Sequence, residues 1–120
     1  MKLIQLVAFI SSITDKQVYP LEFPYNTNSE DVLVVDIING SITGSVIELN
    51  IQIMTRSSHP STAEELANTV ISTLHNKTNL IWDGIQVILI QAKNPNPFFN
   101  GQDQNNNYIY TTDFRILVTT

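Results

Sequence analysis

Hydrophobic positions along this 120-residue chain change their period several times, and each change marks a predicted element. Leu3, Leu6, Val7, Ile10 and Ile13 recur at helical spacing, which predicts an amphipathic N-terminal helix packed on a core. Val18 to Phe23 is short and extended, and Pro20 and Pro24 remove ladder donors, so the segment suits a sheet edge. Tyr25 to Ser29 reads as a surface loop. Asp31 to Ile38 follows as a nearly unbroken apolar run, the pattern of a strand covered on both faces, and Asn39 to Gly44 supplies a turn. Ile47, Leu49, Ile51 and Ile53 then alternate with Glu48, Asn50, Gln52 and Met54, as in a strand with one buried face. These two strands are expected to pair as a hairpin.

Arg56 to Pro60 breaks the strand, and Ser61-x-x-Glu64 has the spacing of a capping box that satisfies free amides at a helix start. Leu66, Ala67, Val70, Ile71 and Leu74 form one stripe of that helix, which is expected to stop near His75-Asn76-Lys77. A short strand at Leu80 to Trp82, an Asp83-Gly84 turn and a dense apolar strand at Ile85 to Ile90 come next. In the last strand Tyr108, Tyr110, Thr112, Phe114, Ile116 and Val118 share a face. Between these two strands lies Asn94 to Asn107, fourteen residues rich in Asn and Pro, far beyond the roughly 2 to 5 residues of most hairpins. A loop this long needs a reason, and contact with a partner is the usual one. The predicted fold is a single α+β domain over residues 1–120: two helices packed on a mostly antiparallel, twisted sheet, in the order α-β-β-β-α-β-β-β. Strand order is not legible from the pattern.

Composition narrows the function. Eleven acidic residues against six basic ones give a net charge of -5, so duplex DNA would be repelled rather than bound through counterion release. Charged residues are only 14% of the chain while thirteen Asn carry much of its polarity, a surface that favours docking against other protein. Cysteine is absent, which excludes disulfides, thiolate metal sites and a thiol nucleophile. Lys2 followed by apolar residues imitates a signal peptide, but Gln5 interrupts the run and no small-x-small site follows. No apolar run approaches the roughly 18 residues that span a bilayer, so a soluble protein without a membrane partner is expected.

Candidate chemistry is sparse. His59 and His75 bracket one helix sixteen positions apart, without a metal-ligand spacing, and read as two loop histidines. Asp103-x-Asn105-x-Asn107 has the alternating oxygens of a calcium loop, but Tyr108 replaces the glycine and Phe114 the glutamate that such a loop requires, so turn capping is preferred. Ser11, Ser12, Ser57 and Ser58 lack a nucleophile elbow, and the carboxylate pairs Glu30/Asp31 and Glu64/Glu65 read as a loop edge and a helix start. No enzyme, cofactor or metal is expected. Phe98 and Phe99, beside two prolines, fit either an exposed anchor for a partner or a plug folded on the domain's own core. Trp82 reads as core.

Two blocks carry a resemblance to the minor capsid or tail terminator (head-tail joining) proteins of long-tailed bacteriophages. One is Ile51 to Pro60 with Ala63-Glu64-Glu65-Leu66-Ala67. The other is Val87 to Gln91, Asn94 to Phe99, Gly101-Gln102-Asp103, Tyr108-Ile109-Tyr110 and Phe114-Arg115-Ile116. The resemblance implies a ring of six copies on the head-proximal end of the tail tube, which stops tube polymerisation and offers the surface on which the filled head docks. Its implied partners are other copies, the tail tube protein and a head completion or connector protein. DNA would pass without specific binding. Its implied place is the head-tail junction of the virion, reached from the host cytoplasm during assembly. Within that frame the Asn94 to Asn107 loop is expected to contact tube or neighbour through Phe98, Phe99 and Asp103. Arg56 and Arg115 are candidates for intersubunit salt bridges, or equally for ordinary pairs within one subunit. The alternatives are a head-side joining protein and a non-enzymatic binding or regulatory module that uses the same loop.

Overall fold

The N-terminal periodicity becomes α1, Leu3–Thr14, whose buried residues are Leu6, Phe9 and Ile10. It ends at Asp15, which takes the left-handed conformation of a C-cap with φ 55°. The structure is a computed structural model describing residues 1–23 and 31–119, so the loop expected at 25–29 lies outside the described residues. The extended segment becomes β1, Val18–Pro20, which runs parallel to the next strand at the sheet edge, where its proline removes no needed donor.

Two long strands follow, β2 at Val32–Thr43 and β3 at Val46–Ser57, paired antiparallel along their whole length. The turn expected over Asn39 to Gly44 is corrected here: β2 continues through Asn39-Gly40, and the chain reverses at Gly44-Ser45, where Gly44 has φ 59°. A bulge at Ile38 absorbs the irregularity that the Asn-Gly pair suggested. Pairing along β3 overrides the local turn preference. Only the first part of β2 is covered on both faces, with Val32 to Val35 all buried, whereas Ile38 is 54% and Ile42 71% exposed.

The second helix, α2, is Pro60–Leu74 and lays Ala63, Leu66, Ala67, Val70 and Leu74 on the sheet. Its capping box does not form. His59 is the N-cap without a side-chain cap bond, and Pro60 takes the first helical position, where its preset φ and missing N–H cost nothing. Ser61 therefore falls inside the helix. The strand foreseen at Leu80 to Trp82 begins earlier, as β4 at Lys77–Trp82, and the Asp83-Gly84 turn, with both φ positive, leads into β5 at Ile85–Ala92.

The remaining strands are β6, Phe98–Gln102, and β7, Tyr108–Thr119. The sheet order is β1-β2-β3-β7-β5-β4, with β6 paired to β7 beside β5. The fold is thus the expected mostly antiparallel α+β domain with one strand more than the sequence announced. Both helices cover one face, where Phe114, Ile116 and Val118 of β7 meet Leu6, Ile10, Leu33, Ile51, Ile53 and Val70. Each such side chain contributes about 1.5 to 3 kcal/mol through burial. The principal extents are 45 × 28 × 23 Å, so the long strands give the molecule two distant ends.

Candidate functional site

One end is built by the segment that the sequence presents as a single fourteen-residue loop. β5 pairs with the second half of β7, Phe114 to Val118, and β6 pairs with its first half, Tyr108 to Thr111. β5 and β6 therefore form one interrupted partner of β7. The interruption spans residues 93–97, where Pro95 and Pro97 remove ladder donors, and Lys93 N–H anchors its start on the Asp113 carbonyl at 2.8 Å. The true reversal is only the tip 103–107. Aromatic strand formers Phe98 and Phe99 were one signal for β6, and Asp103-x-Asn105 was a signal for a tight turn after it.

Asp103 organises that tip. Its Oδ1 accepts from the backbone N–H groups of Asn105 and Asn107, both at 2.9 Å, and its Oδ2 accepts from Asn107 Nδ2 at 3.1 Å. Asn106 takes φ 60°, which the short amide side chain tolerates. Arg56 of β3 lies 3.5 Å from the same carboxylate and is only 3% exposed, with its guanidinium 4.7 Å from the Phe23 ring centre. Burial alone would raise the Asp103 pKa, but the Asn107 and Asn105 hydrogen bonds and the Arg56 charge outweigh it and hold it below 3.8. Both carboxylate oxygens face donors, one of them cationic. The Asp-x-Asn-x-Asn pattern is here an Asx turn braced by an arginine.

The two phenylalanines lie on opposite faces of β6. Phe98 pairs in register with Thr111 and Phe99 with Tyr110. Phe99 packs against the rings of Tyr110 at 5.6 Å and Tyr108 at 6.3 Å, yet stays 57% exposed, and Phe98 is 51% exposed. They neither plug the core nor stand free of the fold. Tyr110 carries a pKa raised above 10 by burial and then by the Glu64 carboxylate at the start of α2. The tip end thus presents aromatic surface over rigid strands, with acidic Glu64 and the paired Asp103 beside it.

Arg115 lies on the sheet face away from the helices. Its Nε donates to Glu48 and its Nη1 to Gln91 Oε1 at 3.0 Å, while its side chain remains 38% exposed. Both candidate arginines already have partners within the chain. His59 and His75 cap opposite ends of α2, roughly 24 Å apart at helical rise, and His75 Nδ1 accepts the Ala92 N–H at 3.0 Å. Among the described residues no three His, Asp or Glu side chains gather as metal ligands.

A groove of about 330 Å³ opens at the other end of the molecule, lined by Ile4, Gln5, Ala8, Trp82 and Asp83. Trp82 is half-buried against Phe9, 5.8 Å between rings, so it is core on one side and groove wall on the other. The helical pattern of α1 gave no sign of it, because Ile4 lies off the stripe of Leu3, Leu6, Val7, Ile10 and Ile13 and is 76% exposed.

Among the described residues the arrangement offers aromatic contact surface and braced turns. Comparison with known proteins agrees. No curated protein matches the chain. Among solved structures, a chain in the virion of a native gene transfer agent particle is similar in fold, with TM-score 0.59 and 13% identity over 98% of this chain and 96% of that one. A family model described as bacteriophage tail terminator protein matches residues 3–120. With essentially its whole length matched, this chain belongs to the bacteriophage tail terminator family, whose members are structural, non-enzymatic components of the virion.

Proposed function

We propose that the protein forms a ring, of six copies, on the head-proximal end of the tail tube, where it ends tube polymerisation and provides the surface on which the filled head docks. The exposed aromatic tip carries this reading. Phe98 and Phe99 sit on strand backbone, on opposite faces of β6 and half-exposed, so their apolar area is presented by a rigid scaffold and little ordering entropy is lost on contact. Aromatic anchors of this kind supply a disproportionate share of interface energy. The Asp103 turn shapes the end of β6, Arg56 holds Asp103, and Arg115, still partly exposed, is available to a neighbour on the outer sheet face. The tail tube protein and a head completion or connector protein are the partners beyond the ring itself. A net charge of -5 on each subunit lets DNA cross the ring by repulsion rather than adhesion.

Electron microscopy of particles from the parent phage or prophage with this gene deleted tests the proposal. Free filled heads beside tails of irregular, excessive length are expected, and complementation with Phe98→Ser/Phe99→Ser should leave the tails long. Tails of normal length that fail to join heads would move the protein to the head side of the junction. Intact infectious particles would overturn the structural role.

A further inference from the structure

The two edges of the sheet carry matched surfaces at the same height. β1 covers β2 only at Leu33 to Val35, and among the described residues no strand pairs with the outer side of β2 from Asp36 to Thr43. The outer side of β4 is unpaired in the same sense. Free edges are normally blunted by lysine, proline or inward charge. Here Ile42 is 71% and Ile81 78% exposed, and Lys77 is the one charge on β4.

Strand pairing fixes the levels. Ile42 is opposite Ile47, Ile47 opposite Val118, Val118 opposite Val87 and Val87 opposite Leu80. One step nearer the turns, Thr43 is opposite Val46 and Val46 opposite Thr119, whose hydroxyl accepts from Gln86 N–H, and Gln86 is opposite Ile81. Four antiparallel steps separate β2 from β4, so the two edges also run in the same direction.

We propose that neighbouring copies of this chain join edge to edge, the free half of β2 in one copy lying parallel to β4 of the next, with Ile42 seated at the Ile4/Trp82 groove. The occupant is a second copy because rotation about an axis along the strands, without a rise, brings these levels together, and a pair of different patches repeated by rotation closes a ring. Ile42 shares the helix-covered face with Ile47 and with Trp82, so it approaches the groove from the correct side. This inference rests on the ring reading and assigns the lateral contacts to the sheet edges, which leaves the aromatic tip to the tube.

The chain has no cysteine, so a disulfide reports the contact directly. Thr43→Cys and Ile81→Cys are combined in one chain, because the two positions are level, exposed and on the same face, and adjacent strands are about 4.8 Å apart, within disulfide reach. Tails assembled with this variant are oxidised, run on a non-reducing gel and viewed by negative stain. A ladder of linked copies from the double variant, and none from either single variant, is the expected result. A visible ring whose protein still runs as a monomer overturns the edge contact and leaves the ring reading intact. Tails capped without any ring overturn both. In a second test that needs no disulfide, Thr43→Glu with Ile81→Glu, like charges level on one face, should give long tails and Thr43→Lys with Ile81→Glu normal ones, and failure of the opposite-charge pair to recover also overturns the contact.

Discussion

At the residue scale, Asp103 shows how one side chain decides the shape of a segment. Its carboxylate accepts three hydrogen bonds and the Arg56 charge, all of which favour the ionised form. A pKa lowered in the folded state means stability that is complete above the unfolded value and lost as pH falls through the folded one. Protection of the Asn105 and Asn107 amides in hydrogen exchange should therefore persist at neutral pH and disappear as pH drops below 3.8. Asp103→Ala should remove it at every pH and cost about 1 to 3 kcal/mol in denaturant titration. Asn105 and Asn107 amides as well protected in Asp103→Ala as in the wild type at neutral pH would sink the Asx-turn account. The sequence showed the Asp-Asn pattern and its turn preference. It did not show Arg56, because that contact joins positions 47 apart, from β3 to the turn before β7.

At the element scale, propensity and pairing disagree in two places, and pairing wins both times. Asn39-Gly40 looked like the end of a strand, yet Gly40 is there because a side chain would collide: a Cβ would sit 2.7 Å from the Glu48 carbonyl oxygen and 3.2 Å from a Leu49 methyl. Gly40→Ala should destabilise the β2–β3 hairpin by roughly 1 to 3 kcal/mol in urea, as overpacking against rigid backbone does. A neutral result would mean that the hairpin bends freely at this point. The other disagreement is β6, hidden inside a run of Pro and Asn. Phe98 and Phe99 have strand propensity, but their partners Thr111 and Tyr110 lie beyond the turn, and the pairing is not written in either segment alone. The helices were more legible, since their stripes depend on spacing within one element. Only the start of α2 differs, by two residues, with His59 rather than Ser61 as N-cap, because Ser61-x-x-Glu64 and Pro60 offer competing starts and proline at the first position needs no cap.

At the scale of the whole molecule, charge and topology govern behaviour. With a net charge of -5 and no basic stripe, the purified protein should not retard duplex DNA in a gel even at low salt, where nonspecific binders hold most tightly. Retardation would overturn the repulsive channel. The sequence by itself determined the class of the fold, its core faces, the lack of thiol chemistry and the family, because these depend on local period, on composition and on motifs that survive in linear order. Only the tertiary structure decided that the fourteen-residue stretch is a resumed strand with a five-residue tip, that Arg56 braces it, and that the free edges of β2 and β4 stand level across the sheet. Each of these is set by pairing between segments distant in the chain, and pairing energy is a property of two strands together that neither one's sequence contains.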